Sequence, residues 1–241
     1  MKRVLVTSFV VLAGVSATKA HAQEVGTPNY FEKQMAAPVS AFEIGVSGFY
    51  SQAWGNITDT SDTAFITTPS RKIQDISGPG LAAQLDLSWR FDPHWMAGIY
   101  GSFTGFEPDS DLPRDTDVRS VTAGIQGQYF FRPYRQISPW VGLGSAWRGN
   151  WIVPEVGGIT SRQGWEIARL ALGADFRIQR EVSVGPFVAG AIDVMFKEDL
   201  PRSDSRNLDN PPASVYFSAG LMGRFDIGGT YVQHAGQIAK R

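Results

Sequence analysis

Between Phe42 and Ile227 apolar and polar residues alternate one by one, in eight runs separated by turn-rich segments. In the second run Leu81, Ala83, Leu85, Leu87, Trp89 and Phe91 take one phase, and Ala82, Gln84, Asp86, Ser88 and Arg90 take the other. A strand sends those two sets to opposite faces. The sixth run sets Ala168, Leu170, Leu172, Ala174, Phe176 and Ile178 against Arg169, Asp175 and Arg177. The fourth opposes Val121, Ala123, Ile125, Tyr129 and Phe131 to Ser120, Thr122, Gln126 and Gln128. In the eighth, Val215, Phe217, Ala219, Leu221, Phe225 and Ile227 oppose Ser214, Tyr216, Ser218, Arg224 and Asp226. Strands are expected at 42–50, 80–91, 95–106, 117–131, 137–148, 163–178, 182–196 and 213–227.

The connections sort by length. Those at 92–94, 132–136 and 179–181 are short, while 51–79, 107–116, 149–162 and 197–212 are long and rich in turn residues. Short turns at one end and long loops at the other define an antiparallel up-and-down barrel, expected here to cross the outer membrane with both termini periplasmic. A soluble eight-stranded barrel would point its oily face inward. Here Asp86, Arg169, Asp175, Asp193 and Arg224 recur in one phase at mid-strand, and the other phase lacks the lysines and glutamates of a water-facing surface.

The tryptophans give an independent reading. Trp89 and Trp95 bracket the first short turn, Trp140 follows the second, Trp147, Trp151 and Trp165 surround the third long loop, and Trp54 follows the first strand. Amphipathic rings favour headgroup depth, so these are expected to form two interfacial girdles. Phe91, Phe131, Phe176 and Phe225 would reinforce the inner one, and Tyr50, Phe103, Phe196 and Tyr216 the outer one.

Residues 1–22 carry Lys2 and Arg3, an apolar stretch from Val4 to Val15, and small residues closing on Ala20, His21 and Ala22. That is a secretory signal peptide, expected to be cut before Gln23 after export by the Sec pathway. Residues 23–41 read as a periplasmic leader or linker, 42–227 as the barrel and 228–241 as a periplasmic tail. Absence of cysteine removes a disulfide framework, a thiolate metal site and a lipidated N-terminal cysteine. A net charge of -1 offers no field for nucleic acid.

On these grounds the chain resembles the small outer-membrane β-barrels of the OmpA, OmpX and OmpW type. The most specific part is the last strand, where Ser218, Gly220 and Phe225 look like the signal read by the barrel-assembly machinery. Gly223 stands where that signal has its penultimate aromatic, and 16 residues follow Phe225. The resemblance implies a monomer in contact with outer-membrane lipid and lipopolysaccharide.

Eight strands enclose an interior that side chains just fill. The inward phase supplies Glu43, Asp86, Arg90, Arg169, Asp175, Arg177, Asp193 and Arg224. Their mixed signs suit a salt-bridged plug, and the alternative is a narrow path for ions or a small solute. The main expectation is therefore a structural or surface-interaction protein acting through its external loops. Barrels that modify lipid need a base near neutral pKa, yet His21 leaves with the signal, His94 lies in a short turn and His234 in the tail. No catalytic, metal or cofactor residue is assigned. Glu107, Asp109, Asp111, Asp115 and Asp117 lack the glycine and distal glutamate of an EF-hand, so a solvated acidic loop is expected. Arg202 and Arg206, mixed with Asp204 and Asp209 before Pro211 and Pro212, could bridge lipopolysaccharide phosphates. An extracellular partner is expected at loops 51–79 and 197–212.

Overall fold

The computed structural model describes residues 37–230, except 59–60, 64–65, 69–70, 76, 109–115, 156–157, 201–204, 209–210 and 212. The signal peptide, most of the leader and the tail beyond Thr230 lie outside the described residues.

Eight long strands form the wall: β1 (Ala41–Thr58), β2 (Ser77–Arg90), β3 (Trp95–Pro108), β4 (Thr116–Phe130), β5 (Ile137–Pro154), β6 (Thr160–Arg177), β7 (Val182–Asp199) and β8 (Ala213–Ile227). Each pairs antiparallel with the next, and β8 returns to β1, with Phe42 opposite Ile227 and Gly55 opposite Ser214. The result is a closed barrel with no free edge. All eight expected strands are present.

Several strands run past the expected ends, chiefly on the long-loop side. β1 continues to Thr58 and β5 to Pro154. The first long loop is itself folded: Ser61–Thr63 pairs with Ile66–Thr68, Arg71–Lys72 pairs back on β1, and Ile73–Asp75 makes a 3-10 turn. At the other end the turns are tight. In the first, the Asp92 carboxylate accepts from the backbone N–H groups of His94 at 2.5 Å and Trp95 at 3.0 Å, the usual Asx-turn device.

The outward phase is dominated by apolar side chains on every strand. Leu81, Ile125 and Leu143 are 76%, 66% and 65% exposed. No water-facing sheet carries such a stripe on every strand, whereas a bilayer requires it. Phe42 and Trp54 bound the band on β1. Twelve steps of about 3.3 Å, tilted about 40°, cover about 30 Å, which spans the apolar band of a bilayer. At the turn end Trp95 packs on Tyr129 at 4.9 Å and Tyr129 on Phe131 at 5.2 Å. At the loop end Trp54 faces Phe217 at 6.5 Å and Trp147 faces Trp151 at 6.3 Å. Trp89 and Trp165 are outward as well.

Two of the expected girdle residues are not on the outside. Trp140 is 2% exposed and Tyr216 3%, both inside the barrel. Trp140 shares the parity of Ser138, Ala146 and Arg148, the inward phase of β5. Its indole lies where Gly173 of β6 leaves no side chain, since a Cβ there would fall on the ring. Tyr216 follows the inward phase of β8, between Ser214 and Ser218.

The chain also folds over the mouth at the turn end. Val39 and Thr230 exchange backbone hydrogen bonds at 2.9 and 2.8 Å, and the N–H of Ala37 donates to the carbonyl of Pro133 at 3.3 Å. Ala37 and Pro38 are buried there.

Candidate functional site

Every charge expected inside is inside: Glu43, Asp86, Arg90, Arg169, Asp175, Arg177, Asp193 and Arg224 are all buried. The structure divides them into two tiers that strand parity alone does not distinguish.

The tier nearer the turns is centred on Glu43 of β1. One carboxylate oxygen meets Arg90 of β2 at 2.6 Å and the other meets Arg224 of β8 at 2.6 Å. Arg224 also reaches Gln128 at 2.7 Å and Asp175 at 3.2 Å. Asp226, which shares the register position of Glu43 on β8, meets Arg177 at 2.7 Å and Arg90 at 3.7 Å. Asp86 accepts from Gln84 at 2.9 Å and from Gln126 at 2.5 Å. Trp140 joins as a donor, its indole N–H 2.9 Å from Asp175. The guanidinium of Arg90 lies 4.3 Å over the ring of Phe130, and that of Arg224 lies 4.8 Å over Trp140. Buried charges persist when each has partners on several sides, and these do.

Phe49 and Phe187 meet edge to face at 5.7 Å, with Ala82, Ala171 and Ala189 in the same buried cluster. They separate the first tier from the second.

The second tier turns on Arg148 of β5. It meets Glu166 of β6 and Asp193 of β7, both at 2.5 Å, and lies 4.0 Å over the ring of Tyr216. Tyr100 donates its hydroxyl to Glu166 at 2.7 Å, and the guanidinium of Arg169 lies 4.8 Å over the Tyr100 ring. Strict alternation from Arg169 would put Glu166 outside. A bulge on β6 prevents it: Ile167 and Ala168 both face outward, so the register against β5 and β7 slips by one and Glu166 turns in. Ser145, opposite the bulge, donates to the freed carbonyl of Glu166 at 2.9 Å and accepts from the indole of Trp165 at 2.8 Å. A second slip on β7, between Met195 and Lys197, likewise turns Glu198 inward, where it meets Arg162 at 2.6 Å. Glu166, Arg148, Asp226, Tyr100 and Glu198 belong to this interior although the alternation did not single them out as site residues.

Beside this tier is a cavity of about 20 Å³ lined by Ser51, Ser102, Thr104, Arg169, Tyr216 and Ser218 among others. It has room for about one water molecule. Ile73 of the first-loop turn, Phe106 and Val118 lie above it in an apolar cluster with Tyr216 and Ala53. At the rim, the hydroxyls of Ser205 and Ser161 hold the Asp199 carboxyl below the usual carboxylate range.

Of the remaining predicted features, Ser218 faces inward, Gly220 lies opposite Phe49 and Phe225 faces outward near the turn end. Asp109, Asp111 and Asp115 lie outside the described residues, as do Arg202, Asp204 and Asp209. Asp117 pairs with Arg119 at 2.5 Å on an exposed face of β4. His94 is set at the turn-end rim, stacked on Tyr129 at 5.7 Å, away from both tiers.

No family model matches the chain, and no curated protein does. Among solved structures it is similar to the outer membrane protein OprG from Pseudomonas aeruginosa, with 10% identity and a TM-score of 0.52, covering 81% of this chain and 100% of that one. It is similar also to the outer membrane protein AlkL in lipid bilayers, with 10% identity and a TM-score of 0.55, covering 87% of this chain and 100% of that one. At such identity the likeness is one of fold. The architecture is that of the small eight-stranded outer-membrane β-barrels.

Proposed function

We propose that this chain is a bacterial outer-membrane protein with a structural or surface-interaction role, exported on residues 1–22 and standing with its short turns in the periplasm. The observation that carries the reading is the contrast between faces: an exterior of apolar side chains on every strand around an interior whose charges pair with one another. Such an interior supports the wall and leaves the loop end as the part free to differ between barrels of one architecture. The long strands and the paired segments of the first loop favour an ordered loop-end surface, on which an extracellular partner or lipopolysaccharide would be met. Insertion would use the barrel-assembly machinery through Ser218, Gly220 and Phe225, and the closed wall suits a monomer.

A narrow path for ions or a small solute is the second reading. It is favoured by the small polar cavity beside Arg169 and Ser218, where packing is incomplete. Catalysis is not part of the proposal, since the one described histidine, His94, sits away from the loop end.

Outer-membrane fractionation with heat-modifiable gel mobility tests the placement, and recording in planar bilayers separates the two readings. Absence from the membrane fraction would overturn both. Steady conductance of the purified protein would replace the first with the second.

A further inference from the structure

We propose that residues 37–40 and 228–230 form a hinged flap that shuts the turn-end mouth of the barrel and opens as a unit. The inference rests on the closed-barrel fold and on none of the proposed functions.

The flap is a continuation of the seam between β1 and β8, bent inward. The last regular pair of that seam is Phe42 with Ile227, and the Val39–Thr230 bridge keeps the same register three residues further on. Between the two pairs the ladder is broken by residues in the left-handed region: Ser40 at φ 53°, Gly228 at 71° and Gly229 at 88°. Such a run turns a two-stranded ribbon out of the plane of its sheet. Glycine takes that region freely, whereas serine does so only under constraint from its surroundings. Gly229 has a second reason to be glycine, since a Cβ there would fall 2.7 Å from the carbonyl oxygen of Val39 and 2.8 Å from the Ala41 side chain.

The bend carries the chain across the opening. Pro133 lies in the turn between β4 and β5, and β4 and β5 lie across the ring from the β1–β8 seam. The N–H of Ala37 nevertheless reaches its carbonyl at 3.3 Å. Ala37 is 5% exposed and Pro38 is among the fully buried side chains, so the ribbon lies on the mouth and does not hang beside it. Three left-handed residues make the hinge, and one long hydrogen bond with two small buried side chains makes the latch. Beneath lies the tier of Glu43, Arg90, Arg177 and Arg224. A weak latch and a strained hinge over a charged chamber are the parts of a door: closing keeps water from the ion pairs, and opening admits it.

The test uses the absence of cysteine. Ser183→Cys places a single thiol on the inward face of β7 beside Arg177 and Arg224, where Ser183 is 1% exposed. Ser51→Cys places one in the loop-end half as a control. Alkylation of the folded protein in lipid vesicles by a charged maleimide is timed in three backgrounds: the mature chain, a chain begun at Ala41, and the full-length Ser40→Val variant, whose β-branched side chain opposes a positive φ. The expected result is labelling of Ser183→Cys at least tenfold faster in both altered backgrounds, with Ser51→Cys unchanged. Equal rates at Ser183→Cys with and without the flap overturn the proposal, and so does equal acceleration at Ser51→Cys, which would report loosening of the whole barrel. If the shortened chain does not fold, Ser40→Val carries the test alone. Acceleration on truncation without acceleration in Ser40→Val overturns the hinge.

Discussion

Arg224 of β8 holds Glu43 of β1 at 2.6 Å across the seam where the last strand meets the first. Both side chains are 1% exposed, and Glu43 spends its other oxygen on Arg90 of β2. The junction is thus bound through the lumen as well as through its backbone ladder.

Removing Arg224 leaves Glu43 and Asp175 short of a counter-charge in a buried site. Arg224→Met is expected to destabilise the barrel by about 3–5 kcal/mol, the usual effect of breaking one side of a buried pair. Arg224→Lys, which keeps the charge and loses the fork, should fall between Met and the native residue. Urea unfolding in lipid vesicles, followed by loss of the heat-modifiable band, measures both.

The bulge at Ile167 and Ala168 keeps Glu166 indoors. Deleting Ala168 removes the extra residue and restores strict alternation, with Ile167 outward and Glu166 still inward against Arg148 and Tyr100. The deletion is expected to stay within about 1 kcal/mol of the parent in the same unfolding assay, whereas Glu166→Leu, which strips Arg148 and Tyr100 of their carboxylate, should lose about 3 kcal/mol or more. A loss of about 3 kcal/mol on deletion would show that the bulge supports this part of the wall beyond its placing of Glu166.

Trp140 and Trp89 separate inside from outside. In chains keeping one tryptophan, brominated lipid tails should quench Trp89 strongly and leave Trp140 close to its unbrominated intensity, because Trp140 is 2% exposed and bonded to Asp175. Equal quenching of the two would place Trp140 back among the girdle residues.

Arg148 ties β5 to β6 and β7 by binding Glu166 and Asp193 at once. Arg148→Ala removes this tie and enlarges the cavity that Arg148 lines, so planar bilayers should show discrete openings absent from the parent. Silence of both proteins would mean that the Phe49–Phe187 layer blocks passage by itself.

The wall was legible because period two is enforced by the bilayer on every strand, so no context could override it. Legibility failed where the period slipped or ended. Trp165 and Ile167 share one parity while Ala168, Leu170 and Leu172 share the other, and that change of phase is the mark of the bulge that brings Glu166 inward. In β5 the parity of Ile137, Val141, Leu143 and Trp147 already set Trp140 and Arg148 on the opposite face. Position near a turn had suggested a girdle for Trp140, but parity governs which way a side chain points. The tiers were not legible, since which charges meet depends on register across strands, as when Glu43 falls opposite Asp226. Strand ends such as Gly55–Thr58 and Ile152–Pro154 went unread because beyond the bilayer nothing demands alternation.

The distance along the chain between Glu43 and its partner Arg224 is 181 residues, and this sets an order of events in assembly. Until β8 arrives, Glu43 has only Arg90 beside it, and Arg224 has no lumen in which to find Asp175. An unfinished sheet would therefore carry its charges on a face that only water could satisfy, and it could not be abandoned in the bilayer half made. The last strand brings the missing counter-ion together with the missing edge, so sealing the wall and neutralising its contents become a single step.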